Sequence, residues 1–167
     1  MRSSLYNPGP EETNLSDFKF FKHLTDAEIG KLNYDKSCQI YKKGSIVYRE
    51  GSRLTGFYCV TRGILKIYKT GIDGKEQIIR FVKKGDIIAF RSLLSQELAC
   101  TTAKVIDDAV LCQIPYPTLL FLLQNNPDMG FSYIKNAAEL DSTNFFYQES
   151  LGQLYIAKNK TAEAIAV

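Results

Sequence analysis

The sequence predicts an α+β protein, an antiparallel β-roll of jelly-roll type flanked by short helices and followed by a long C-terminal helix. Three observations predict it. Between Gly44 and Ala103 run short alternating segments, among them Phe57-Tyr58-Cys59-Val60, Ile64-Leu65-Lys66-Ile67-Tyr68 and Gln77-Ile78-Ile79-Arg80-Phe81-Val82. Such β-rich runs, with turn residues at intervals of about 8–12 positions, belong to closed or double-layered antiparallel folds. Glycines 63, 74 and 85 punctuate them at an even spacing of eleven. Thr61-Arg62-Gly63 and Ile72-Asp73-Gly74 each place glycine where a hairpin turn needs positive φ. Beyond Pro127 the apolar period changes to that of a helix.

In chain order, residues 1–13 read as a loose arm, with Ser3-Ser4 and Pro8-Gly9-Pro10 and no apolar stretch of the kind a secretory signal carries. Asp17-Phe18-Lys19-Phe20-Phe21 is an apolar knot expected to dock on the core. Thr25-Asp26-Ala27-Glu28 is a capping box, so a helix starts there, carries Ile29 and Leu32 inward and ends around Asn33 and Asp35. The β region opens near Ser37 with Cys38-Gln39-Ile40-Tyr41, and Lys43-Gly44 and Glu50-Gly51 mark turns. Ala109-Val110-Leu111-Cys112-Gln113-Ile114 is a continuous apolar run, a buried strand stopped by Pro115. Pro117 to Leu123 reads as a short helix with proline in its first turn, ended by Asn125-Asn126.

A longer helix is expected over 127–156. Tyr133, Ala137, Leu140, Asn144, Tyr147, Leu151 and Leu154 alternate in steps of four and three, an a/d seam of the kind that pairs one helix with another. Asn144 within it would fix register. A neighbouring stripe of Phe131, Ile134, Ala138 and Phe145 can lie on the β core at the same time. The seam therefore reads as a dimer helix, and the alternative is a helix packed on its own domain through both faces. Ile156-Ala157-Lys158-Asn159 interrupts the seam, and residues 157–167 read as the start of a further, truncated domain.

The 167 residues hold one domain plus an extension, or a domain and a fragment of another. With 45% hydrophobic and 23% charged residues the chain can bury a core. A net charge of +3 is too small to imply a nucleic-acid surface on this chain. No apolar run approaches the roughly 18 residues of a membrane span. The four cysteines, at 38, 59, 100 and 112, stand singly without a C-x-x-C pair. They are expected in strands as small, reduced, buried residues of a cytoplasmic protein, rather than as metal or redox groups.

The order of these parts resembles the sensory half of the Crp/Fnr family of bacterial transcription factors. The residues that carry the resemblance are Tyr41-Lys42-Lys43-Gly44, Glu50-Gly51, Phe57-Tyr58-Cys59-Val60 with Gly63, Gly74-Lys75-Glu76, Gly85-Asp86-Ile87-Ile88, Cys112-Gln113-Ile114-Pro115 and Asn126-Pro127-Asp128. The resemblance implies a cyclic-nucleotide-binding-like β-roll over 14–126, a homodimer through the long helix, and a DNA-binding helix-turn-helix domain beyond Val167. In that family a cassette of Gly-Glu-Leu followed by Arg-Ser/Thr-Ala holds the nucleotide: the glutamate accepts from the ribose hydroxyl and the arginine forks onto the cyclic phosphate. Here the first triplet reads Ala89-Phe90-Arg91, and the arginine position falls on Ala99 or Thr101 according to the alignment. A response to cyclic AMP is therefore not expected.

No cofactor is expected either. The oxygen-sensing branch needs an N-terminal cysteine cluster for an iron–sulfur centre, and residues 1–37 contain no cysteine. Haem ligation needs an axial histidine or cysteine, and the single histidine, His23, precedes the first helix and reads as a solvated surface residue. If a small effector binds, the resemblance places it against Phe90, Arg91, Ser92, Cys100, Thr101 and Thr102, with Asn144 and Phe145 from the long helix. Arg91 can hold an anion there or pair with Glu97. A stand-alone regulatory module of the same fold is the alternative to a transcription regulator. An enzyme on a jelly-roll core of the cupin type needs several histidines around a metal, and no G-x-S-x-G, P-loop or H-E-x-x-H motif is present.

Overall fold

A computed structural model gives the fold, and the structure describes residues 14–126 and Asp128. Two short 3-10 turns, Leu15–Asp17 and Lys19–Phe21, lead into helix α1, Asp26–Asp35. The strands are β1 (Ser37–Tyr41), β2 (Ile46–Tyr48), β3 (Gly56–Thr70), β4 (Glu76–Val82), β5 (Ile87–Ile88) and β6 (Thr102–Pro115). Helix α2 (Phe90–Leu94) lies between β5 and β6, and α3 (Tyr116–Asn125) follows β6. All pairings are antiparallel, in the order β1-β6-β3-β4, with β2 added to β6 and β5 to β3. The long helix expected over 127–156, its dimer seam, the arm and residues 157–167 lie outside the described residues, Asp128 apart.

The roll is built on two long strands. β3 and β6 pair along nearly their whole length, and each changes its other neighbour halfway. Near one end β6 pairs with β1 and β3 with β5; near the other, β6 pairs with β2 and β3 with β4. The change happens at a run of register shifts between Val60 and Leu65. Such irregularities bend a strand and raise its twist, which lets one pair of strands serve both halves of a roll.

Gly63 makes the bend possible. Its φ is +88°, and a Cβ there would lie 2.5 Å from both Ala109 Cα and the Asp108 carbonyl oxygen. The hairpin turn expected at Thr61-Arg62-Gly63 is therefore corrected to a bulge within β3, because a bulge and a hairpin make the same demand for positive φ. At Gly74 (φ +77°) the expected hairpin is present, joining β3 to β4.

The sheet buries both faces at its centre. On one side Phe57, Cys59, Cys112 and Ile114 pack with Leu15, Phe18, Phe21, Leu32, Leu119 and Leu122 from the turns, α1 and α3. On the other, Val60, Leu65, Ile67, Val82, Ala103, Val105 and Leu111 fill the inside of the roll. Two buried faces account for the unbroken apolar run Ala109-Val110-Leu111-Cys112, where a half-exposed strand would alternate. The Thr25 capping box forms as predicted: Glu28 N–H donates to Thr25 Oγ1 at 3.3 Å, and Thr25 N–H to Glu28 Oε2 at 2.8 Å. Leu32 is fully buried and Ile29 partly so.

The cysteines depart from expectation. Cys38 and Cys112 face each other across β1 and β6 with Cα atoms 4.0 Å apart and form a disulfide, whereas Cys59 and Cys100 are free. Cys59 lies opposite Cys112 on the other side, so three cysteines form one row across β1, β6 and β3. Register, not sequence spacing, brings them together. Cys100 lies in the loop before β6 and not in a strand.

Candidate functional site

A cavity of about 150 Å³ opens where β5, α2 and the loop before β6 meet the inside of the roll. Phe90, Arg91 and Ser92 of α2 line it, together with Cys100 and Thr101 of the loop. These five residues come from two stretches that the sequence reading also singled out. Tyr48, Ile67, Ile79, Arg80, Ile87, Ile88 and Ala89 complete the wall, and none of them is among the residues expected there from the sequence. Ile87, Ile88 and Ala89 adjoin Phe90 in the chain, whereas Tyr48, Ile67, Ile79 and Arg80 reach the cavity only through the pairing order of the roll. Thr102 points elsewhere: its Oγ1 accepts from the Glu50 backbone N–H at 2.9 Å and clamps the loop after β2 onto β6. Asn144 and Phe145 lie outside the described residues.

The chain enters α2 through Ala89, whose φ of 68° is left-handed. A side chain in that region costs about 1–2 kcal/mol relative to glycine. The entry turns Phe90 inward, where it is 2% exposed. Its ring meets Phe57 at 5.2 Å and Phe20 at 4.9 Å, both edge-on. Phe90 thus belongs to the helix-side core and walls the cavity from behind.

Ser92 ties α2 to the opposing loop. Its hydroxyl donates to Cys100 Sγ at 3.5 Å and accepts from the Cys100 N–H at 3.4 Å. Tyr48 closes the roll side, with its hydroxyl 3.5 Å from Thr101 Oγ1. Burial pushes the Tyr48 phenol above its ordinary range, against the opposing influence of the Thr101 hydrogen bond and of nearby Arg80. The phenol is therefore a neutral hydrogen-bonding group at physiological pH. Arg80, on β4, donates from Nη2 to the Ile87 carbonyl at 3.2 Å. That bond fixes its guanidinium beside β5, with other N–H donors of its five left over. Arg91 is exposed on α2. Ser95 Oγ donates to Glu97 Oε2 at 3.1 Å. The cavity wall thus offers apolar surface from Ile67, Ile79 and Ile88, neutral hydroxyl and thiol groups, and two guanidinium groups. Among the described residues that line it there is no aspartate or glutamate.

The sequence pattern of the cyclic nucleotide-binding domain matches residues 38–126. The chain belongs to the cyclic nucleotide-binding domain family. Over 107 residues it is 27% identical to the fumarate and nitrate reduction regulatory protein of Yersinia pestis, covering 64% of this chain and 42% of that protein. Over 78 residues it is 28% identical to the anaerobic regulatory protein of Aggregatibacter actinomycetemcomitans, covering 47% and 30% respectively. It spans less than half the length of these relatives. Among solved structures, the sensor domain of the transcriptional regulator DNR from Pseudomonas aeruginosa superposes with a TM-score of 0.71 at 20% identity, over 77% of this chain and 87% of that one. The catabolite activator protein of Thermus thermophilus does so with a TM-score of 0.65 at 18% identity, over 83% and 62%. The chain is therefore homologous to the Crp/Fnr regulators, and its β-roll is the cyclic nucleotide-binding fold. Within that family fold the cavity occupies the mouth of the roll beside α2.

Proposed function

We propose that this chain is the effector-sensing and dimerisation part of a cytoplasmic Crp/Fnr-type transcription regulator, and that its effector is not cyclic AMP. The observation that carries the reading is Phe90. Where a nucleotide site needs a carboxylate to accept from the ribose hydroxyls, this chain has a buried ring locked between two others. The arginine position is no better supplied. Ala99 is 3% exposed, and Thr101 is a neutral residue whose hydroxyl sits against Tyr48. Losing a charge-paired contact to a buried phosphate costs about 2–5 kcal/mol. The cavity, about 150 Å³, is also below the range of about 300–1,000 Å³ common for ligands of drug size. A smaller effector suits it better.

In this reading the seam from Tyr133 to Leu154 pairs two chains, and a DNA-reading domain beyond Val167 presents two recognition helices to successive major grooves. Effector binding shifts the balance between two arrangements of that pair.

The test is a thermal melt of the chain with excess cyclic AMP or cyclic GMP. A ligand at a hundredfold over its Kd adds about 2.7 kcal/mol of stability by mass action. No shift is expected from either nucleotide. A rise of several degrees with cyclic AMP would overturn the assignment.

A further inference from the structure

We infer that the cleft formed by β2, the loop after it and Tyr58 of β3 binds a small aromatic carboxylate, its ring against Tyr58 and its acid group at Arg49 and Arg53. The cleft is distinct from the cavity beside α2, although Tyr48 borders both. Its ligand is independent of the effector proposed above.

The loop after β2 holds two cations on a clamped backbone. Gly51 N–H donates to the Ala99 carbonyl at 2.7 Å, and Ala99 N–H to the Ser52 carbonyl at 2.8 Å. Glu50 N–H donates to Thr102 Oγ1 at 2.9 Å, and Ser52 Oγ to the Arg49 carbonyl at 2.6 Å. At the far end of the loop, Tyr116 N–H donates to the Thr55 carbonyl at 3.0 Å. Arg49 and Arg53 stand exposed on this frame and line a cleft of about 430 Å³. Among the described residues neither guanidinium forms an ion pair or a hydrogen bond. The one acid of the loop, Glu50, is engaged elsewhere, its Oε2 accepting from the Thr70 N–H at 3.1 Å. No carboxylate lines the cleft among the described residues. Two guanidinium groups without an acid of their own favour an anion, and the fork of an arginine matches the two oxygens of a carboxylate. A loop that is already fixed loses less freedom when it takes a ligand.

The rest of the wall suits a ring. Tyr58 is only partly buried, and its ring stacks on Tyr48 with centroids 6.1 Å apart and planes at 22°. Gln113 Nε2 donates to the Tyr58 hydroxyl at 3.3 Å and to Thr55 Oγ1 at 3.2 Å, which holds the phenol in place. Burial first, and then Tyr41 and Tyr48, push that phenol up to about 12. It therefore stays neutral and keeps its O–H as a donor. A further ring packs on a tyrosine by offset stacking or edge-on contact. Ile46, Val47 and Leu54 supply aliphatic surface beside it. A volume of about 430 Å³ falls within the range of about 300–1,000 Å³ common for small-molecule sites. An acid of one or two fused rings fits.

Naphthoate, with naphthamide as a neutral partner of the same shape, is the probe for the purified 167-residue chain. Calorimetric titration is expected to show the acid binding about tenfold or more tightly than the amide, because a charge-assisted contact is roughly twice as strong as a neutral one. The double variant Arg49→Gln with Arg53→Gln, at two exposed positions, is expected to remove that preference and leave the amide unchanged. Tyr58→Leu is expected to weaken acid and amide alike, by about threefold or more, because it removes the ring contact. A melt of each variant without ligand checks that it is folded. Equal binding of acid and amide, or binding of neither, would overturn the assignment. Acid binding unchanged by the double arginine variant would overturn it too, since neither arginine lines the cavity beside α2. A folded Tyr58→Leu variant that binds both probes as before would overturn the placement of the ring.

Discussion

At the scale of single residues, Gly63 and Phe90 decide the most. Gly63 sits in β3 with a φ no side chain adopts readily and with the β6 backbone 2.5 Å from where a Cβ would stand. Gly63→Ala must therefore take on a left-handed backbone and push Ala109 and Asp108 away. The two costs are each of order 1–3 kcal/mol, and together they should destabilise the domain by about 3 kcal/mol, read as a lower urea midpoint at unchanged slope. An alanine tolerated within about 0.5 kcal/mol would mean that the bulge is not where β3 bends. The need for glycine at 63 was legible in the sequence, but its use was not. A hairpin turn and a bulge share the same local signature, and what separates them is that β6 runs on unbroken opposite. Phe90 is the converse case, an apolar residue whose ring-to-ring seating against Phe57 and Phe20 is a matter of packing that no local pattern writes.

At the scale of elements, the helices are joined by charge and hydrogen bonds as well as by apolar packing. Thr118 of α3 donates to Asp35 Oδ2 of α1 at 2.6 Å, and Lys31 Nζ lies 2.9 Å from the same oxygen. The Thr118 hydrogen bond first, and then Lys31, hold the Asp35 carboxyl below its usual range. A carboxylate with a depressed folded pKa stabilises the fold at pH above its unfolded value, near 3.9, and loses that contribution as pH falls through the folded value. Thr118→Val should therefore lower the urea midpoint at neutral pH, and the gap to the unmodified chain should close as pH drops below about 4. A gap constant from neutral to acid pH would show that Thr118 acts by packing alone. The β1–β6 pair carries a covalent link as well. Unfolded without reductant, the chain should offer two cysteines to an alkylating agent, Cys59 and Cys100, and four after reduction. Reduction should also cost about 2–4 kcal/mol, the usual effect of opening a long loop. Alkylation of all four without reductant would show that the bridge does not form.

At the scale of the whole molecule, two cores on opposite faces of one bent sheet leave the cavity at the mouth of the roll, where β4, β5 and α2 converge. The proposed dimer adds a second chain through the seam at Tyr133, Ala137, Leu140, Asn144, Tyr147, Leu151 and Leu154. Sedimentation of the full chain should give a dimer, and Leu140→Asp should give a monomer whose β-roll melts within a few degrees of the original, because a charge in an a/d seam breaks the pairing and leaves the roll's own cores alone. A monomeric parent would refute the seam. A dimer unaffected by Leu140→Asp would place the contact elsewhere.

The order of the described elements, the capping box of α1, the hairpin at Gly74 and the proline start of α3 were all set by residues close together in the chain, and the sequence by itself determined them. Local chemistry suffices there: an N-cap, a positive φ or a proline in a first turn acts within a few positions of where it is written. Three things were decided by tertiary structure alone. The Cys38–Cys112 bond joins residues 74 apart, and only strand register sets Cys112 beside Cys38. Tyr48 and Arg80 enter the cavity wall because β2 and β4 attach to opposite edges of the long strand pair. Thr102 leaves the wall because β6 begins there and its hydroxyl is taken by Glu50. Pairing across a sheet links positions whose separation along the chain carries no signal, so these contacts exist only once the roll has closed.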